Sequence, residues 1–324
     1  MTDLTERYLP LPRARRLRFA PLGLGACLGT AVAALLVAAT QNPNRPFFAL
    51  PTAAGLYASH APIVDTQGGD WNAMASRGLG GAEQLYARFV ASGYTLARVR
   101  GEEAEVPRVM LSSLPADLAQ VGSTDMRKTV FIKMMLPLLL AENERILADR
   151  QRVNALRDRI EQGQALTGSE LDWLGTIASR YGVDNSDFDG LLRRIDAIPP
   201  SLAIAQAALE TGWGTSRVAH YGHAMFGQME TRGVGEESIF AVKFFDDLAG
   251  AVTAYAYNLN THRAYNSFRG ERARFRGRGL APDGHELALH IARYSERGMD
   301  YVRDVRVIIR TNNLRPLDPA RLAG

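Results

Sequence analysis

The segment Pro199-Pro200-Ser201-Leu202-Ala203-Ile204-Ala205-Gln206-Ala207-Ala208-Leu209-Glu210-Thr211-Gly212-Trp213-Gly214-Thr215-Ser216 sets a single carboxylate, Glu210, at the end of an apolar run. Paired prolines pre-set an N-terminal turn, and every residue from Ser201 to Leu209 except Gln206 is apolar or small. Two glycines bracketing Trp213 stop the pattern just after the acid. The spacing predicts a short buried helix ending at a glutamate. Desolvation there disfavours the charged carboxylate, so Glu210 is expected to hold its proton unusually long and to serve as a general acid. Trp213 offers a flat indole to a sugar face, and its flanking glycines permit close approach. By composition alone, a core helix ending in a capped turn, its glutamate paired with an arginine, remains the alternative.

Further residues resolve that choice by resemblance. The run Glu210-Thr211-Gly212-Trp213-Gly214-Thr215-Ser216, followed by Phe226-Gly227, resembles the bacterial glucosaminidases of glycoside hydrolase family 73. Tyr257-Asn258-Leu259-Asn260-Thr261-His262-Arg263-Ala264-Tyr265 with Arg269, and Tyr294-Ser295-Glu296-Arg297-Gly298 with Tyr301-Val302, are similar to the Bax branch of that family. Val106-Pro107-Arg108, Leu114-Pro115-Ala116-Asp117 and Leu136-Pro137-Leu138 extend the resemblance over about residues 104–313. It implies a mainly α, lysozyme-like glucosaminidase domain with a small β-hairpin lobe and a cleft between the lobes; the hydrophobic patterns upstream add a long helix before it and an N-terminal transmembrane helix.

The 324 residues, 46% hydrophobic and 22% charged, suffice for a sizeable core and exclude a disordered chain. Cys27 is the sole cysteine, which excludes an intrachain disulfide. Leu22 to Ala39 is uncharged and follows Arg13, Arg15, Arg16 and Arg18, so residues 21–40 are expected to anchor the chain in the inner membrane, with 1–20 a basic cytoplasmic leader and the remainder periplasmic. The long leader and long apolar run favour an uncleaved anchor over a cleaved signal peptide. The apolar run lies mostly after Cys27, which argues against a lipoprotein signal.

Residues 41–103 are assigned as linker, with Gly, Pro and polar residues dominating up to about residue 80. A helical region (104–190), the glucosaminidase domain (191–315) and a tail (316–324) follow. Ile132, Leu139, Ile146, Val153 and Ile160 recur every seventh residue from a start near Asp125, and predict one long helix or two, with a kink or break at Pro137. Ser169 and Asp172 are read as a capping-box-like start for the next helix. Ile239 to Phe245 predicts a strand, and Gly233 and Gly235 before it a hairpin. Helices then start near Asp246 or Asp247 and near Asp283, and Val302, Val305 and Ile309 mark a last one.

Glycosidic cleavage needs an acid for the leaving oxygen and a second group to stabilise the oxocarbenium-like state or activate water. Glu210 is the expected acid. The resemblance puts the second group on or near the hairpin, where Glu230, Glu236 and Glu237 are available; Glu237 and then Glu236 are the candidates, with a substrate acetamido group as the alternative. It also implies that Tyr265 braces the sugar or Glu210, with a packing residue as the alternative; Trp213, Phe226, Gln228 and Thr211 are candidates to line the substrate site, and Trp213, Phe226 and Gln228 fit the core equally well. The expected partner is the peptidoglycan glycan strand, with cleavage on the reducing side of N-acetylglucosamine; a lytic transglycosylase and a non-catalytic wall-binding scaffold are the alternatives. No cofactor or metal is implied, since His220 and His223 lack a third ligand at suitable spacing. Arg269, Arg272, Arg274, Arg276 and Arg278 form a basic run that on an anchored, outward-facing chain reads as a wall-facing or solvated surface rather than a nucleic-acid site; no protein partner is legible.

Overall fold

The computed structural model describes residues 80–101, 105–232 and 239–324. The basic leader, the membrane segment 21–40, Cys27, Glu236 and Glu237 lie outside the described residues. Among the described residues no helix is long and apolar enough to cross a membrane.

The described chain is mainly helical. Helices α1 (Ala82–Ala91) and α2 (Leu96–Val99) lead into strand β1 (Glu105–Val106) and the long helix α3 (Thr124–Glu161). Next come α4 (Gly168–Tyr181), α5 (Phe188–Arg194), α6 (Pro200–Thr211) and α7 (Arg217–Gly222). Strands β2 (Met229–Arg232) and β3 (Ile239–Val242) form an antiparallel hairpin in which Met229 faces Val242 and Arg232 faces Ile239. Helices α8 (Leu248–Thr261), α9 (Asn266–Gly277), α10 (Gly284–Leu287) and α11 (Met299–Thr311) precede strand β4 (Arg321–Leu322), which runs parallel to β1.

Helix α6 is the centre of the core. Every residue from Pro200 to Ala208 is buried, and the helix packs against α3, α10 and α11. A helix apolar on all sides is stable only when surrounded, which the sequence of α6 requires and its neighbours supply. Asp318 fixes the start of α6: its carboxylate accepts from the Ser201 backbone N–H at 2.8 Å and the Ser201 hydroxyl at 2.9 Å, and from the Gly284 N–H at 2.9 Å. Burial raises the Asp318 carboxyl to about 6 against these donors. The tail 316–324 is thus tied to α6 through Asp318, and its Leu317, Ala320 and Leu322 are buried.

Helix α3 is continuous through Pro137, with Ser123 as its N-cap, accepting from the Met126 N–H. Of the two expectations, one long helix or two, the structure has the single helix, and the carbonyl that Pro137 leaves without a helical donor, that of Lys133, accepts from the Tyr94 hydroxyl at 3.1 Å. Ile132, Leu139, Ile146 and Val153 are buried within this chain, whereas Ile160 is 44% exposed, so the seven-residue stripe ends before it. The residues preceding 104 also carry structure: Leu85 and Phe89 of α1 are buried against α3. The capping box of α4 is Thr167 with Glu170, not Ser169 with Asp172; each side chain bonds the other's backbone N–H. Asp247 caps α8, as its spacing predicts.

Two arginines of the basic run point inward. Arg272 is fully buried and donates to the carbonyls of Arg193, Arg194, Asp196 and Ala197, closing the C-terminal end of α5. Arg269 donates to Leu259 and His262 at the end of α8. Burial would raise the Asp196 carboxyl, but Arg272, Arg276 and Arg150 outweigh it and hold the group below the usual carboxylate range. These cations stabilise helix C-termini and one buried acid, so the run is not a continuous basic surface.

Candidate active site

Glu210 sits in the last turn of α6, which Gly212 ends in the left-handed conformation with φ 59°. Trp213 (φ 62°) and Gly214 (φ 78°) continue that conformation. A tryptophan there is strained by about 1–3 kcal/mol, a cost typical of functional turns. Thr211 holds the turn from inside: its hydroxyl donates to the Ala207 carbonyl at 2.6 Å and accepts from the Gly214 N–H at 2.9 Å. Trp213 is half-buried, meets Phe131 edge-on at 5.8 Å, and lies beneath the Lys128 ammonium at 5.0 Å.

The two oxygens of Glu210 meet different surroundings. Oε1 accepts from the Tyr301 hydroxyl at 2.9 Å. Oε2 lies against Gly227, an exposed glycine with φ 61°, where an added Cβ would sit 2.7 Å from that oxygen. Glycine is required there both for the backbone and to keep the space before the carboxyl open. Burial pushes the Glu210 carboxyl up to about 7, while the Tyr301 hydrogen bond and the Arg297 guanidinium pull the other way. Near neutrality Glu210 is thus partly protonated and able to donate a proton.

Behind the acid stands a buried polar and aromatic layer. Gln206, one helical turn before Glu210, donates through Nε2 to the Tyr301 hydroxyl at 3.0 Å and accepts at Oε1 from the Tyr255 hydroxyl at 2.8 Å. Tyr301 stacks on Tyr294 at 5.6 Å, and Tyr255 stacks on Phe226 at 4.0 Å. The Tyr294 hydroxyl donates to the Phe226 carbonyl at 2.7 Å, anchoring the chain just before Gly227.

The structure brings Glu210 and Gly227 together, leaves Trp213 half-buried three residues beyond the acid against Phe131 and Lys128, and turns other candidates inward. Phe226, Gln228 and Thr211 are buried, at 1%, 4% and 1% exposure, so their side chains support the site from within rather than line it. Tyr265 is fully buried, with its ring 6.2 Å from Tyr294; it belongs to the aromatic layer, and among the described residues the side-chain hydrogen bond to Glu210 comes from Tyr301 instead. Of the hairpin carboxylates, Glu230 is paired with Arg232 at 2.6 Å on strand β2. His223 binds the Phe245 carbonyl through Nδ1 at 2.9 Å. Among the described residues no cluster of three or more His, Cys, Asp or Glu could hold a metal. Tyr301, Gln206 and Tyr255 are the residues a linear reading passes over. Gln206 carries a signal, being the polar exception in the apolar run at i−4 from Glu210.

The glucosaminidase family, described as mannosyl-glycoprotein endo-β-N-acetylglucosaminidase, matches residues 188–314, a span that starts at α5 and ends just beyond α11. Protein bax of Escherichia coli (strain K12) is 35% identical over 199 residues, covering 59% of this chain and 71% of that protein. The chain belongs to the Bax-like glucosaminidase-domain proteins. The matched span contains Glu210, Gly227, Gln206, Tyr255 and Tyr301, so the whole carboxyl environment lies within the family domain. Family membership places this Bax-like chain among glycosidases associated with peptidoglycan. No solved structure gives a significant match.

Proposed function

We propose that this chain is a peptidoglycan hydrolase, an endo-β-N-acetylglucosaminidase cutting the β-1,4 bond on the reducing side of N-acetylglucosamine, with Glu210 as the general acid. The observation that carries this reading is the divided carboxyl: Oε1 tied to Tyr301, Oε2 open beside Gly227, and a pKa raised to about 7 by burial. An acid poised near neutrality suits protonation of a leaving sugar oxygen. The Tyr301 hydroxyl and Arg297 then stabilise the carboxylate left behind, and that carboxylate draws a proton from water in the second step. Trp213 offers the sugar a partly exposed ring. With Glu230 engaged by Arg232, the second group is either the substrate's own acetamido carbonyl or Glu237 or Glu236. The helical core with α6 at its centre and the β2–β3 hairpin following Gly227 fit a lysozyme-like arrangement. The apolar segment 21–40 after four arginines supports a single-pass anchor with the domain on the periplasmic side.

The test is digestion of purified peptidoglycan by the protein and by its Glu210→Gln variant, with mass spectrometry of borohydride-reduced products. Reduced N-acetylglucosamine ends formed only by the unmutated protein are expected. Anhydro-muramic ends would replace this reading with a lytic transglycosylase, and equal product from both proteins would remove Glu210 from the chemistry.

A further inference from the structure

The hydrogen bonds behind Glu210 have a direction. The Tyr255 hydroxyl, fully buried, donates its one proton to Gln206 Oε1 at 2.8 Å. That bond identifies the carboxamide oxygen and turns Nε2 toward Tyr301, to whose hydroxyl oxygen it donates at 3.0 Å. A tyrosine hydroxyl that accepts on that side has its single proton left for its other neighbour, Glu210 Oε1, at 2.9 Å. Oε1 is therefore an acceptor whether or not the carboxyl is protonated. We propose that Gln206, oriented by Tyr255, is a positioning residue that makes Tyr301 a one-way donor and so confines the acid's proton to Oε2, the oxygen beside Gly227.

The inference deepens the hydrolase reading and rests on it for its catalytic meaning. A carboxylic acid whose proton sat on Oε1 would face Tyr301 and be unable to deliver it to a sugar. Bonds in series also reinforce one another: donation from Gln206 into the Tyr301 oxygen makes that hydroxyl a stronger donor to the carboxylate. The packing leaves little slack, since Tyr255 is stacked on Phe226 at 4.0 Å and Tyr301 on Tyr294 at 5.6 Å. The charged and titratable groups facing Glu210 are Tyr301 and Tyr294, both buried, and Arg297, which is also paired with Asp304. Tyr255 and Tyr265 complete the layer behind them. None of these but Tyr301 donates a hydrogen bond to the carboxyl among the described residues.

The decisive variant removes one fully buried oxygen whose partner is Gln206. In Tyr255→Phe the carboxamide of Gln206 is free to turn over and present Oε1 to Tyr301, which then donates backward and accepts from Glu210 Oε1. Gln206→Met, close in volume, removes the link altogether. Both are expected to lower kcat about tenfold with KM unchanged, and to move the Glu210 titration up by about half a unit or more, because the carboxylate loses the Tyr301 hydrogen bond in Tyr255→Phe and keeps only a weakened one in Gln206→Met, where nothing donates into the Tyr301 oxygen. The double variant is expected to behave as Gln206→Met alone, since the two residues act in series. Carbon-13 NMR of the full-length protein labelled at glutamate carboxyls reports the titration directly, with the Glu210 signal identified by its loss in Glu210→Gln. Wild-type titration and wild-type pH–rate profiles in both Tyr255→Phe and Gln206→Met would overturn the proposal. If Gln206→Met does not fold, Tyr255→Phe alone decides. Failure of the hydrolase reading is distinguishable, because it appears as anhydro-muramic ends or as undiminished product from Glu210→Gln, while the NMR titration still reports on the relay.

Discussion

The Tyr94 hydroxyl donates to the Lys133 carbonyl at 3.1 Å, across the point where Pro137 has no N–H to offer. A residue before α2 thereby completes the backbone of α3, and a buried carbonyl that would cost about 1–3 kcal/mol if unpaired is satisfied. Tyr94→Phe is expected to lower stability by about that amount in denaturant titration. Pro137→Ala restores the helical N–H, so Tyr94→Phe made in that background should cost clearly less. Equal costs in the two backgrounds would show that the hydroxyl does not substitute for the missing donor.

Lys133 itself is buried with its ammonium 5.3–5.5 Å from the rings of Tyr86, Phe89 and Tyr94. Cation–π attraction offsets part of its desolvation, which still pulls the amine down to about 8. A lysine with a lowered folded pKa binds fewer protons in the folded than in the unfolded state above that value. Its penalty is therefore full below pH 8 and relieved as pH rises toward 10.5. Lys133→Met should raise the midpoint of thermal unfolding at pH 7 and flatten its pH dependence between 8 and 10; an unchanged slope would place the titrating group elsewhere.

Arg272 tests the buried side of the basic run. Its guanidinium spans the carbonyls of Arg193, Arg194, Asp196 and Ala197, a fork that an ammonium cannot reproduce. Arg272→Lys is expected to cost about 2–4 kcal/mol, comparable to breaking a buried ion pair, whereas Arg274→Lys on the exposed face should change stability by less than about 0.5 kcal/mol. Similar effects at both positions would contradict the inward role of Arg272.

What the sequence discloses here is local. The prolines, the apolar run and the glycines around Trp213 specify α6 and its left-handed end within a few residues, and the hairpin follows from the composition of Ile239 to Phe245. The partners of Glu210 are not local: Tyr301 lies 91 residues downstream and reaches it only because α11 packs on α6. Tyr94, 39 residues before the carbonyl it serves, overrides the helix-breaking tendency of Pro137. Arg269 and Arg272 read as surface cations because most of their acceptors are backbone carbonyls, which every residue possesses and no pattern marks. Phe226 and Gln228 adjoin Gly227 in sequence yet turn inward, since the chain before the hairpin is held from behind by Tyr294.

Gly227 guards the open oxygen of the acid. Gly227→Ala would put a methyl 2.7 Å from Oε2 on a backbone at φ 61°, so both the side-chain space and the backbone resist it. Activity on peptidoglycan should fall by about 10²-fold or more, as misplacement of a reacting group does, with a stability loss of about 1 kcal/mol. Activity within a few-fold of the parent would mean that Oε2 is not the oxygen that meets the sugar.

Glu210 links catalysis to stability through the same raised pKa. The acid must be protonated to act, so the basic limb of the pH–rate profile is expected near pH 7. A carboxyl raised from 4.5 to about 7 contributes stability that is fully present below 4.5 and is lost as pH rises through 7. Glu210→Gln keeps an oxygen to accept from Tyr301 and carries no charge, so it should be more stable than the parent by about 1–3 kcal/mol at pH 8. That advantage should vanish by pH 4.5, the ordinary value of the group. Thermal unfolding of both proteins across that range measures it, and a gap that stays constant with pH would show that Glu210 is ionised throughout and is not the poised acid.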